Sequence, residues 1–231
     1  MRASLLTLMA LALTAPALAA SPVAGVVTSV SGKAAVYAGG AGLGEPLKLA
    51  EPLHAGDRIK TGANGRVVLV LSDGTRLNVN DNTDITLRAK NSEGKTSPRG
   101  IASIKIVLGE LWAKVTKRHS QLEFDTPGAV AAVKGTEPGF IVSGGPNPST
   151  CIYLLNGALW LSNGSGSAKM GPLTQACLGQ GAQLSQSLVL PWNGTSHLPT
   201  DLNNTATGAA VELKYKGSDG QVKTLDLRYG K

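Results

Sequence analysis

Side chains able to do chemistry are sparse in this sequence and poorly grouped. Three histidines, His54, His119 and His197, lie far apart, and none belongs to an H-E-x-x-H motif or a helical His pair. The two cysteines, Cys151 and Cys177, form no Cys-x-x-Cys unit and are too few for a four-cysteine zinc site. Asn80-Asp81-Asn82-Thr83-Asp84 is oxygen-rich and could hold calcium. It lacks the glycine and distal glutamate of an EF-hand loop and reads as a solvated turn. Serine, histidine and aspartate all occur, but no G-x-S-x-G elbow presents a serine. The run Gly39-Gly40-Ala41-Gly42-Leu43-Gly44 opens no helical pattern, so it reads as a flexible loop rather than a phosphate cradle. Paired carboxylates for glycoside hydrolysis remain open to sequence, because their spacing is three-dimensional, yet the acidic residues sit mostly in turns. The expectation is a non-enzymatic chain with no catalytic, cofactor-binding or metal-binding residues.

Composition and address bound the rest. The chain has 231 residues, 42% of them hydrophobic, and 22 Lys+Arg against 15 Asp+Glu give a net charge of +7. That is ample for a core and too apolar for wholesale disorder. Glycine, at 29 residues with no G-X-Y period, favours tight turns and short strands over a collagen-like chain. Arg2, an apolar run over 5–13 and Ala17-Leu18-Ala19 have the order of a secretory signal peptide, residues 1–19. No later run approaches the length needed to span a bilayer, so no transmembrane segment is expected in the mature chain. Export places the protein in the periplasm or at the cell surface and argues against nucleic acid as a partner. In an oxidising compartment Cys151 and Cys177 can pair; two buried free thiols are the alternative.

Short β-branched runs separated by turn residues predict an all-β fold. They fall at 26–30, 34–37, 66–71, 75–79, 152–155 and 159–161, and alternation recurs through 110–126. Asp73-Gly74 and Asn156-Gly157 between such runs read as hairpin turns. Ile104, Gly109, Leu111 and Trp112 recur in register as Ile152, Gly157, Leu159 and Trp160. Strand–Gly–strand units of this kind suit a rolled or solenoid-like stack with Trp112 and Trp160 in equivalent places. Those tryptophans suit core or sheet-face packing, with carbohydrate stacking the alternative. Residues 185–208, rich in Ser, Thr, Asn and Pro, read as a polar linker or loop, and 209–231 as a terminal β-hairpin. Lys214, Lys216, Lys223 and Arg228 stud that hairpin and form a candidate partner surface. A solvated face that discourages aggregation is the competing reading.

A longer pattern then emerges. It runs Gly56-Asp57-Arg58-Ile59, Gly65-Arg66-Val67, Asp73-Gly74-Thr75, Asn82-Thr83, Gly109-Glu110-Leu111-Trp112, Thr126-Pro127-Gly128 and Gly135-Thr136, and closes at Leu155-Asn156-Gly157 and Gly179-Gln180-Gly181. This order resembles the FecR domain, a periplasmic sensor module of bacterial iron-uptake signalling proteins, with the match centred on 50–183 within a domain over 20–184. The resemblance implies an all-β sensor scaffold whose turns are set by Gly56, Asp57, Asp73, Gly74, Thr126, Pro127, Gly135 and Thr136. It also implies a habit of protein binding in the envelope. The chain departs from the sigma-controlling members, which carry an anti-sigma segment and a transmembrane helix before the domain. It departs again at Pro138-Gly139, which suggests a local turn. The expected partner is an envelope protein, with anionic polysaccharide or cell wall, approached through the basic residues and Trp192 in the loop, as the alternative.

Overall fold

The computed structural model describes residues 23–92, 95–115, 122–194, 211–216 and 222–227, and the side chains of 23–89, 101, 103–115 and 122–194 within them. The expected signal peptide, Arg228 and the segment 195–210 lie outside the described residues.

Alternation decides the architecture, because a strand with one apolar face must lay that face on another layer. In chain order the strands are β1 (Val23–Ser31), β2 (Ala34–Tyr37), β3 (Glu45–Pro46), β4 (Pro52–His54), β5 (Arg58–Thr61) and β6 (Arg66–Leu71). They continue as β7 (Arg76–Val79), β8 (Asp84–Ser92), β9 (Lys95–Lys114), β10 (Leu122–Asp125), β11 (Val130–Val133) and β12 (Glu137–Ser143). Then follow β13 (Ser149–Asn156), β14 (Leu159–Asn163), β15 (Gly166–Met170), β16 (Thr174–Gly179) and β17 (Leu190–Pro191). One layer is hydrogen-bonded in the order β4, β1, β6, β7, β9, β12, β13, β16, β17. The other runs β3, β2, β5, β8, β9, β10, β11, β14, β15. Pairing is antiparallel throughout these ladders except between β9 and β10. The chain passes repeatedly from one layer to the other, which makes an open, rolled stack of short strands, and β9 belongs to both layers.

The space between the layers is one apolar core. It includes Leu69, Leu77, Leu111 and Ile152 from the first layer, and Ile59, Ile85, Ile104 and Leu161 from the second. Phe124 on β10 stacks on Phe140 on β12 with ring centroids 4.6 Å apart, a contact that joins the layers directly.

Glycines mark the crossings. At Gly109 β9 leaves the second layer for the first with φ 101°, and a Cβ there would lie 2.4 Å from the Thr83 Cα. The Glu110 N–H donates to the Thr83 hydroxyl at 2.9 Å, which locks the bend. Gly157, φ 90°, crosses in the opposite direction, and its Cβ would fall 2.7 Å from the Gly135 carbonyl. The internal echo is therefore real as a pair of crossings, but the two tryptophans are not equivalent: Trp112 lies on the outside of the first layer, Trp160 on the outside of the second. Asn156-Gly157 is likewise not a hairpin turn, since β13 pairs with β12 and β16 whereas β14 pairs with β11 and β15. Asp73-Gly74 does join a paired hairpin, β6 with β7.

Two further expectations change. Glu137–Ser143 is a continuous strand with an irregularity between Glu137 and Pro138, and Pro138-Gly139 makes no local turn. The first ten residues of the expected linker, 185–194, are docked: Leu190–Pro191 pairs with β16, and Trp192 is buried. Beyond, β18 (Val211–Lys216) and β19 (Val222–Leu227) form a separate two-stranded antiparallel ribbon.

Cys151 and Cys177 face each other across β13 and β16, their Cα atoms 4.0 Å apart, and are joined by a disulfide. Reducing it, or Cys177→Ser, should lower unfolding free energy by about 3 kcal/mol on the chain-entropy account. Urea titration with and without dithiothreitol measures this.

Candidate functional site

The turn residues shared with the family pattern do structural work. The Asp57 carboxylate is buried and accepts from the Gly39 N–H at 3.0 Å and the His54 N–H at 2.7 Å, tying the glycine-rich segment down. Gly56, φ 99°, donates its N–H to the Leu87 carbonyl at 2.7 Å. Asp73 accepts from the Thr75 N–H and hydroxyl at 2.8 and 2.9 Å, and Gly74 takes φ 85°. The Thr126 hydroxyl donates to the Ala129 carbonyl at 2.6 Å, closing the turn through Pro127 after β10. Gly135, φ 62°, and buried Thr136 form the close crossing under Gly157. These eight residues are spread along the stack and converge on no shared cavity.

The oxygen-rich loop is similarly committed. Asp84 is buried and accepts from the Arg58 guanidinium, 2.7 Å from Nε to Oδ1, with the Lys60 ammonium 3.4 Å away. The hydrogen bond to Asp84 leads the causes that raise the Arg58 pKa. A carboxylate already neutralised by two cations is a poor calcium ligand. Among the described residues no group of three His, Cys, Asp or Glu side chains is placed to hold a metal.

What distinguishes the molecule is its two outer faces. On the first layer, cross-strand register lines up Asn78, Trp112, Gly139, Tyr153 and Gln175. Gly139 is required here because Trp112 lies flat across it; a Cβ would fall 2.5 Å from the indole Cζ2. Trp192 closes over both rings, 6.1 Å from Trp112 and 5.3 Å from Tyr153, and its N–H donates to the Leu173 carbonyl at 2.8 Å. The Trp112 indole N–H donates to Glu110 Oε1 at 3.0 Å. Burial pushes the Tyr153 phenol pKa up, and the Glu110 charge adds to it. This face is a second, covered core, so Trp192 is not the exposed ring expected of a loop tryptophan.

On the second layer the row reads Arg88, Ser103, Glu123, Ala132, Trp160, Lys169. Nothing described covers it: Trp160 is 57% exposed, with the Lys169 ammonium 5.3 Å from its ring centroid. Strand alternation predicts which residues share this face; it does not predict which of the two faces is covered.

The candidate partner surface divides. Lys214 lies opposite Thr224 and Lys216 opposite Val222, whereas Lys223 lies opposite Tyr215. Alternation along a strand therefore sets Lys223 on the other face of the ribbon from Lys214 and Lys216.

Fold and faces together define an all-β scaffold of two stacked layers, with one outer face covered by Trp192 and the other carrying exposed Trp160. Residues 57–159 match the family model described as FecR protein. Two crystal structures of a proposed anti-sigma factor from Parabacteroides distasonis ATCC 8503, at 1.65 and 2.50 Å resolution, are similar at 13% identity and a TM-score of 0.47. The match covers 59% of this chain and 60% of theirs, so the chain spans about 60% of the length of those structures. A structure described as a cell surface anchoring domain is similar over 28% of this chain and 83% of its own, at 26% identity and a TM-score of 0.26. No curated protein matches the chain. No described helix is long and apolar enough to cross a membrane.

Proposed function

We propose that the chain is an exported, non-enzymatic FecR-domain protein that acts as a protein-interaction or sensing module of the bacterial cell envelope. The disulfide suits an oxidising compartment. A partner strand would add to an exposed sheet edge, where main-chain hydrogen bonds supply affinity and side-chain pockets supply specificity.

The observation that carries this reading is where such edges are free. In the main stack they are blunted. At one end lie the very short strands β3 and β4, each with a proline, Pro46 and Pro52. At the other end, Gln186 substitutes for a neighbouring strand on β15: its Oε1 accepts from the Lys169 N–H and its Nε2 donates to the Lys169 carbonyl, both at 2.9 Å. The β18–β19 ribbon is a sheet of only two strands, so each strand has one side outside the ladder. An isolated ribbon of that size is marginal in water and gains by packing on another chain.

Deleting 209–231 should remove the dominant protein adduct in envelope cross-linking with mass spectrometry, while the denaturation midpoint of the remaining domain stays in place. Unchanged capture would overturn the assignment to the ribbon.

A further inference from the structure

The outer face of the second layer has no role in strand capture, yet it carries the one exposed aromatic among the described side chains. Trp160 stands in the row Glu123, Ala132, Trp160, Lys169, and the next row on the same face is Asp125, Val130, Ser162, Ser167. Ala132, Ser162 and Ser167 are exposed and small, so the indole rises from a flat floor that cannot shield it. The Lys169 ammonium lies over the ring at 5.3 Å. A cation on one ring face leaves the opposite face for a ligand.

The surrounding charges favour an anion. Lys134, exposed two residues beyond Ala132, joins Lys169. Of the nearby carboxylates, Asp125 is paired with Arg88 at 3.1 Å, which leaves Glu123 against two lysines. The whole chain is also positive, at +7. A protein hot spot is built from clustered large apolar and aromatic side chains inside a wider buried patch. Here one ring is set among alanine and serine, which is too little apolar surface for that.

We infer that this face binds an anionic saccharide chain. The apolar C–H face of a sugar ring would stack on the open side of Trp160, its hydroxyls would reach Ser162, Ser167 and Glu123, and an acidic substituent would sit by Lys169 and Lys134. Aromatic stacking supplies the apolar contact and the two lysines supply selection for charge. The site does not depend on the terminal ribbon, so it stands or falls separately from the strand-capture reading.

The test uses the intact exported protein with two probes of equal length, oligogalacturonate and neutral malto-oligosaccharide. Trp112 and Trp192 are buried, so iodide quenching of tryptophan emission reports chiefly on Trp160. Oligogalacturonate should protect that emission, and calorimetry should show affinity falling about tenfold in Trp160→Ala. Lys169→Ala should weaken binding and flatten its salt dependence. Unchanged melting temperatures in both variants would keep the readout specific. No protection at millimolar oligogalacturonate, equal binding by malto-oligosaccharide, or undiminished binding to Trp160→Ala would each overturn the inference.

Discussion

Gly109→Ala is expected to destabilise the domain by about 4 kcal/mol, among the largest effects of any single substitution in the chain. Two costs combine at this residue. Its φ of 101° lies in a region that a residue with a Cβ occupies only under strain. The added methyl would also meet Thr83 at 2.4 Å from Cα and 2.3 Å from Oγ1. The Thr83 Cα is backbone, so no rotamer change relieves the overlap. Thr83 cannot retreat cheaply either, because its hydroxyl accepts from the Glu110 N–H and its N–H donates to the Thr61 hydroxyl, each at 2.9 Å. The substitution would therefore pry apart the point where β9 passes between layers. Urea unfolding followed by far-UV circular dichroism gives the number. Gly144→Ala is the control, since its nearest neighbour would lie 3.8 Å away and its change should stay within about 0.5 kcal/mol. If the Gly109 variant unfolds within about 1 kcal/mol of the parent, the crossing is not a constraint on this fold.

The strands were legible because burial in a two-layer stack writes period two into the sequence. Leu122–Asp125 alternates core-side Leu122 and Phe124 with outward Glu123 and Asp125, as its spacing predicts. Layer membership was not legible. Apolar alternation on both sides of Asn156-Gly157 is the same whether the chain returns beside itself or crosses to the opposite sheet, and only the partners of β13 and β14 distinguish the two. Composition averaged over 185–208 misled at 185–194, because that first part carries Leu188, Val189, Leu190 and Trp192 ahead of the Thr- and Asn-rich remainder. Burial of Trp192, pairing of Leu190–Pro191 with β16 and the Gln186 bonds to Lys169 together hold that segment down. Its landing place was written elsewhere, in Gly139, whose missing side chain is the space Trp112 occupies. For the surface, sequence supplied the residues of the Trp160 row and its charge, but exposure depends on what later chain covers. Trp112 and Trp160 received the same local pattern and opposite surroundings.

The second large effect is expected at Phe140→Ala, with a loss of about 3–5 kcal/mol. Phe140 and Phe124 are the only phenylalanines in the chain, both fully buried, and each comes from a different layer. Truncating Phe140 removes its own burial and also strips one face of the Phe124 ring, leaving a cavity between two sheets that hydrogen bonding keeps from collapsing. A double-mutant cycle with Phe124→Leu and Phe140→Leu should return a coupling of about 0.5–1.5 kcal/mol, the aromatic contact beyond simple area. Near-zero coupling would mean that the layers are held by diffuse aliphatic packing. The consequence also reaches the outside of the sheet. Phe140 adjoins Gly139, so relaxation of β12 into the cavity would move the floor under Trp112 and Tyr153. Near-UV circular dichroism of the covered aromatic cluster should therefore change in Phe140→Ala even under conditions where the far-UV spectrum is retained, whereas iodide access to Trp160, on the opposite layer, should not. A change confined to Trp160 would show that the two layers deform in a way this packing does not account for.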